Sequence, residues 1–380
     1  MEKYENFQLL IDGKNAFPEI LRCIQNAKQT LKINMFIWRD DNIGNQLGQA
    51  VLDAAERGVQ VEISADRYGV VLEKAEEAKK SFFHKEQTLS EKIKIKALEL
   101  FYPYTCTDKK AKDEYTPLYE KIMAHPNVQV EKDVFKADHS KYYVIDGETL
   151  ILGGVNIEDK ENGADLQGRE YQDYMVKIVG KEYVDAFLDK VENGFNADTV
   201  GGNDYYFGVN TKRVQPYLFE MERLYLSIIR NAKQTLNIHM AYFSPLKKFI
   251  KEIVAAWKRG VKVCIVIPQS ANFQKDSNYK TVKTLLKKTN GEIEVYLTPK
   301  MAHTKLIATE SVISLGSTNI TKKAFKQLSE LNLFVENTPC KFVDTLVNSM
   351  SENVVISQKI TSHKQIKYNP LVAFVEGFLV

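Results

Sequence analysis

The six residues Asn26-Ala27-Lys28-Gln29-Thr30-Leu31 recur as Asn231-Ala232-Lys233-Gln234-Thr235-Leu236. A chain that repeats a local pattern at long range has to build two similar units, so this repeat constrains the fold more than any other feature. Downstream, Ile33 and Met35 match Ile238 and Met240, and Glu56-Arg57-Gly58-Val59-Gln60-Val61 is echoed by Lys258-Arg259-Gly260-Val261-Lys262-Val263. The offset drifts from 231 − 26 = 205 to 258 − 56 = 202, as an old duplication would leave it. With 380 residues, 44% of them apolar and 27% charged, the chain has the composition of a globular protein and enough length for two cores.

Each copy reads as helix, strand, helix, strand. In the first, Pro18 suits an opening helical turn, with Ile20, Leu21, Ile24 and Ala27 at helical spacing. A strand at 31–38 follows, then a helix at 45–57 that stops at Arg57-Gly58, then the strand VQVEISA. The second copy repeats the order over 215–232, 235–243, 246–259 and 261–267. Such alternation predicts an α/β fold in which parallel strands are covered by helices. The expected halves are 1–200 and 201–380, joined at the Gly-rich Thr199–Tyr205. The first half carries an insert over about 71–136, rich in Lys, Glu and Tyr, that reads as helical. It would be a lid or membrane-contacting cap, or simply a solvated helical excursion.

Two segments carry the chemistry. His139-Ser140-Lys141 with Asp146, and His303-Thr304-Lys305 with Glu310, each place a histidine, a lysine at +2 and an acid at +7, at corresponding places in the two halves. In a strand, residues i and i+2 share a face, so imidazole and ammonium emerge together. Each segment is followed by a small-residue loop bearing an amide: Gly153-Gly154-Val155-Asn156 and Gly316-Ser317-Thr318-Asn319.

This pairing resembles the phospholipase D superfamily, whose signature is two H-x-K-x4-D motifs, each followed by a glycine-rich segment with Asn. The first motif matches fully; the second has Glu310 in place of Asp. The resemblance implies a duplicated phospholipase D fold: two pseudo-symmetric halves, each a mixed sheet flanked by helices, with the active site at their interface.

Phosphodiester cleavage needs a nucleophile, an acid for the leaving alkoxide and positive groups around the developing charge. Two His-Lys-Asn sets supply all three: one histidine attacks to give a phosphohistidine, the other protonates the leaving oxygen, and the roles reverse in the second step. Lys141, Lys305, Asn156 and Asn319 would donate to the non-bridging oxygens, with Ser317 also expected to bind substrate. No cofactor is required and no separate metal cluster is evident. Family tendency makes His139 the nucleophile and His303 the acid, with the reverse open.

Asp146 lies at odd spacing from His139 and so points away from it on a regular strand; Asp146-Gly147 reads as a hairpin turn, and a structural role would also accommodate Glu310. The acids expected to hold the imidazoles are Asp173 in QDYMVKIV and Glu330 in SELNLFV, and the resemblance implies the same. His84, His125, His239 and His363 lack the lysine and the acid and receive no role.

The segments around these motifs look most like bacterial cardiolipin synthases and related phosphatidyltransferases. That likeness implies a phospholipid substrate and a peripheral position at a membrane. Two other readings stay open: a phosphodiesterase or nuclease on a soluble polyanion, and a catalytically silent binding protein. Net charge, 52 − 49 = +3, decides nothing, although residues 247–290 hold 11 Lys or Arg against two acids. That stretch would hold anionic headgroups, line a nucleic-acid groove, or form a solvated basic face. Cys23, Cys106, Cys264 and Cys340 have no C-x-x-C spacing and read as reduced core thiols. The start has no basic region followed by a long apolar run, so a cytoplasmic location is expected. The apolar end, 371–380, is half the length needed to cross a bilayer and is expected as a docking strand. Oligomeric state is not readable.

Overall fold

The computed structural model describes residues 3–75, 80–101, 114–132, 137–194 and 204–379. By packing, residues 10–185 form one compact unit and residues 1–9 with 186–380 another. The division falls inside a helix, Lys181–Asn193, while most of the Gly-rich 199–205 lies outside the described residues.

The first unit contains β1 (Phe7–Ile11), α1 (Asp12–Gln25), β2 (Thr30–Met35), α2 (Asn42–Glu56), β3 (Gln60–Ala65), α3 (Gly69–Ala75), α4 (Leu89–Phe101), α5 (Pro117–Ala124), β4 (Val128–Glu131), β5 (Lys141–Ile145), β6 (Thr149–Gly153), β7 (Tyr171–Gln172) and β8 (Tyr174–Val179). The helix α6 (Lys181–Asn193) leads into the second. That unit contains β9 (Tyr205–Thr211), β10 (Leu218–Phe219), α7 (Met221–Asn231), β11 (Thr235–Met240), β12 (Phe243–Ser244), α8 (Lys247–Lys258), β13 (Lys262–Pro268), α9 (Lys275–Lys288), β14 (Glu294–Thr298) and β15 (Met301–Ala302). It continues through β16 (Lys305–Thr309), β17 (Val312–Gly316), β18 (Ile320–Thr321), α10 (Lys322–Lys326), β19 (Glu330–Glu336), α11 (Lys341–Val355), β20 (Gln358–Ile360) and α12 (Pro370–Leu379).

Within the described residues the first sheet runs β1-β8-β6-β5-β2-β3-β4 and the second β10-β9-β19-β17-β16-β11-β13-β14-β20. Removing the outer β10 and β20 leaves the same strand order in both. In each, parallel strands (β2, β3, β4; β11, β13, β14) meet an antiparallel group (β5, β6, β8; β16, β17, β19). Each unit has its own apolar core, one centred on Phe17, Leu47, Ile33 and Ile151, the other on Tyr225, Phe249, Ile238 and Ile307.

The repeated Arg-Gly-Val has a local reason. Gly58 and Gly260 stop α2 and α8 at φ 97° and 88°, where a Cβ would be strained. The preceding Arg57 and Arg259 donate to Ile24 and Ile229 carbonyls at the ends of α1 and α7, at 3.0 and 3.1 Å.

Three expectations are corrected. Pro18 sits inside α1, which begins at Asp12 because Asp12 N–H donates to the Asp173 carbonyl at 2.8 Å and its Oδ1 accepts from Asp173 N at 3.2 Å. The insert is not wholly helical, since Val128–Glu131 pairs in parallel with β3 and completes the sheet; its Val-Gln-Val-Glu alternation is the shortest that signals a strand and is hidden inside a Lys- and Glu-rich stretch. Residues 76–79, 102–113 and 133–136 of the insert lie outside the described residues. Finally, the apolar end is the helix α12. Asn369 Oδ1 accepts from the amides of Leu371 and Val372, Pro370 supplies a helical φ, and Ala373 and Glu376 are buried one turn apart.

Among the described residues no helix is long and apolar enough to cross a membrane. Cys23 and Cys340 are buried and free, and burial pushes the half-buried Cys264 thiol up to about 12; Cys106 lies outside the described residues.

Candidate active site

Strand register gathers the first motif. Lys141 at the start of β5 stands opposite Gly153 at the end of β6, which stands opposite Met175 near the start of β8. His139, Asn156 and Asp173 flank those three residues, so they lie at one end of the sheet. That end is also where the parallel strands β2 and β3 finish, at Met35 and Ala65, the edge at which open α/β sheets carry ligands. In the second unit Met240, Lys305, Gly316 and Asn332 define the same edge, with His303, Asn319 and Glu330 beside them.

All of these side chains are buried: His139 and His303 are 7% and 5% exposed, Lys141 and Lys305 0% and 1%, and Asp173 and Glu330 2% and 1%. Each lysine Nζ donates to the carbonyl of the histidine two residues before it, Lys141 to His139 at 2.6 Å and Lys305 to His303. The ammonium is thereby fixed beside its own histidine.

Aromatic rings flank both imidazoles. Phe36 packs edge-on to His139 with centroids 4.6 Å apart and carries the Lys141 ammonium 4.9 Å from its ring centre. Tyr242 stands edge-on to His303 at 6.0 Å, with its hydroxyl on Asn272 Oδ1 at 2.7 Å. Sequence reasoning assigned neither residue, although Phe36 directly follows the repeated Ile-x-Met segment and Tyr242 comes one residue after it. Tyr242 N–H also donates to Asn319 Oδ1 at 3.3 Å, which turns the Asn319 amide nitrogen away from that contact. Asn156 is 3% exposed, and its Oδ1 has no hydrogen-bond partner among the described residues.

The two acids are held differently. Ser317 Oγ donates to Glu330 and accepts from Leu331 N at 2.9 Å, so its single proton is committed to the acid and is not free for substrate. The corresponding residue in the first unit is Gly154, where a Cβ would lie 2.2 Å from Asp173 Oδ2. The shorter acid fills the space the missing side chain leaves, and its Oδ1 accepts from Tyr174 N at 2.9 Å.

Asp146 and Glu310 bond elsewhere. Asp146 turns the hairpin with Gly147, at φ 53° and 66°, and its carboxylate accepts from the amides of Lys28, Gln29 and Thr30 at 2.7–3.1 Å. Glu310 accepts from Lys233, Gln234 and Thr235 at 2.9–3.1 Å. The repeated Lys-Gln-Thr is thus the receptor for the repeated acid, and one extra methylene still reaches it. Burial alone would raise both carboxyls, but the amides of Gln29, Thr30 and Lys28, and of Thr235, Lys233 and Gln234, outweigh it and hold them below the usual range.

A polar network steadies the approach to His139. Asp66, 6% exposed, accepts from Asp138 N at 2.8 Å and Tyr68 N at 2.6 Å; Asp138 accepts from the Ser140 amide and hydroxyl; Asn34 Nδ2 donates to Ser140 O at 2.9 Å. Burial lifts the Asp66 carboxyl to about 7 despite these amides. The residue matching Asn34 in the second unit is His239, fully buried, and burial lowers its pKa to about 4.

Several of the lysines in 247–290 stand on the outer faces of α8 and α9, while Lys283 donates to Ile366 O. Among the described residues no cluster of three or more His, Cys, Asp or Glu is arranged to hold a metal ion.

The family model described as "Cardiolipin synthase, PLD-like domain" matches residues 20–198 and 225–354. Cardiolipin synthase 2 of Staphylococcus epidermidis is 26% identical over 96% of this chain and 71% of its own length. Cardiolipin synthase B of Shigella flexneri is 25% identical over 68% of this chain and 59% of its own. The crystal structure of phosphatidylserine synthase from Haemophilus influenzae superposes with a TM-score of 0.70 at 13% identity, covering 98% of this chain and 92% of that one, and so shares the fold. With a family model covering most of its residues, the chain belongs to the cardiolipin synthase family of phospholipase D-like proteins.

Proposed function

We propose that the protein is a phosphatidyltransferase of cardiolipin synthase type, moving a phosphatidyl group between phospholipid alcohols through a phosphohistidine. Family membership makes it a phospholipase D-superfamily enzyme of this class. The observation that carries the chemistry is the buried His-Lys pair repeated in both units, each lysine pinned to the carbonyl of its own histidine.

In the first step a His139 nitrogen attacks phosphorus, the bond to the leaving alkoxide breaks, and His303 gives that alkoxide its proton. In the second, His303 takes the proton of the acceptor alcohol, whose oxygen attacks phosphorus and releases His139. Lys141, Lys305 and the amides of Asn156 and Asn319 stabilise the non-bridging oxygens, where buried donors act in a low dielectric. Asp173 and Glu330 hold the imidazoles, and Ser317 positions Glu330. A phospholipid substrate and attachment to a membrane surface belong to the same proposal.

The test is product formation. Purified protein given phospholipid and a primary alcohol yields a phosphatidyl-alcohol; failure across anionic and zwitterionic headgroups overturns the reading, and cleavage of single-stranded DNA in its place favours a nuclease. Rapid quench with labelled phosphate assigns the roles, since His139→Ala must abolish the adduct while His303→Ala still forms it.

A further inference from the structure

The helix α4 is apolar on two opposite faces. Its inner face, Ile95 and Leu98 at 6% and 3% exposure beside the buried, ion-paired Glu91, packs on α3. Its outer face carries Leu89, Ile93 and Leu100, exposed by 76%, 62% and 78%. At 100° per residue these three fall within roughly 40° of one another, on one line along the helix that Lys96 joins between Ile93 and Leu100. Lys92, Lys94 and Lys96 are exposed around it.

We infer that this outer face of α4 is a docking surface for an anionic phospholipid bilayer; the inference rests on the lipid-transfer reading above. Single exposed leucines are ordinary, but three in register along one helix are not. Apolar side chains flanked by lysines match a bilayer interface with negative headgroups, the lysine stems lying along the apolar surface while their ammonium groups reach the phosphates.

The stripe is rigidly tied to the first half-site. Arg67 binds Glu91 of α4 at 3.0 Å, and the next residue, Tyr68, pairs with Phe36 at 6.3 Å, the ring that packs on His139. On α3, a Cβ at Gly69 would lie 2.1 Å from the Phe36 carbonyl, so helix and site loop are in direct contact. The contact with the site loop runs through the inner face of α4, so a bilayer held on the outer face is coupled to that loop through the body of the helix.

The experiment uses the full chain and vesicles of phosphatidylcholine, with and without phosphatidylglycerol, and reads co-sedimentation without turnover. The triple variant Leu89→Ser, Ile93→Ser, Leu100→Ser is expected to keep its thermal unfolding midpoint and to lose roughly tenfold or more of its partition onto anionic vesicles. Lys92→Gln with Lys96→Gln should weaken binding to anionic vesicles and leave binding to neutral ones unchanged. Val355→Ser, which changes a residue 82% exposed on α11, should have no effect. Wild-type binding by the triple variant, an equal loss in Val355→Ser, or a wild-type dimer that the triple variant dissociates without any vesicle binding would each overturn the inference. Because binding is read without turnover, a chain that docks through α4 yet forms no phosphatidyl-alcohol would overturn the catalytic reading alone.

Discussion

Gly154 abuts Asp173 so closely that a Cβ would sit 2.2 Å from the carboxylate, whereas its counterpart Ser317 reaches Glu330 with a hydroxyl. The pairs Gly-Asp and Ser-Glu are alternative ways of filling the same space. Gly154→Ser should displace the Asp173 carboxylate and lower kcat by about tenfold or more, since a misplaced positioning group costs that much. Gly154→Ser with Asp173→Glu, which rebuilds the second unit's arrangement, should recover most of the loss. Strict additivity in steady-state kinetics of the double variant would contradict the shared-space account.

Asp146→Ala and Glu310→Ala each leave three backbone amides without their acceptor. Partial exposure lets water replace some of these bonds, so the expected loss is about 1–2 kcal/mol, read from urea unfolding. Glu310→Asp should cost less, because Asp146 already serves that role. Both carboxyls are held below their ordinary values, so their contribution is complete above those values and fades as pH falls through the lowered ones. The gap between wild type and the Ala variants should therefore narrow in acid.

His239 predicts a second pH dependence. Its pKa is lowered from 6.5 to about 4 by burial, so the neutral ring is the form the fold accepts. The stability this represents is present above 6.5 and is lost as pH falls to about 4, on the order of 3 kcal/mol across that interval. His239→Asn copies Asn34 and should flatten the acid limb of a melting-temperature profile; an unchanged slope would count against it.

Phe36 holds the Lys141 ammonium 4.9 Å from its ring centre in a dry setting. Phe36→Leu keeps an apolar side chain and removes the ring's negative face, so kcat/KM should fall by roughly tenfold while the thermal midpoint moves little. A large stability loss with unchanged kinetics would make Phe36 a core residue and nothing more.

Much of this was legible before any fold was known, and for local reasons. The turn at Asp146-Gly147, the stops at Gly58 and Gly260 and the His-x-Lys pairs depend on neighbours within a few residues, so spacing reveals them. The part played by Lys28-Gln29-Thr30 was not legible, because their amides meet Asp146 only after strands distant in sequence pair. The same holds for Phe36 and Tyr242, which no local spacing ties to a histidine, and for β4, whose four residues gain their place in the sheet only beside β3. The terminal helix escaped notice because a short apolar run has no period that separates strand from helix.

The amino-acid order alone determined the duplication, the α/β class and the pairing of imidazole with ammonium, since each follows from periodicity and from residue types that recur together. Tertiary structure alone decided that Ser317 serves Glu330, that Gly154 makes room for Asp173, and that α4 presents a second apolar face. Those outcomes turn on excluded volume and on which donors meet which acceptors after the chain closes on itself, quantities that no local pattern encodes.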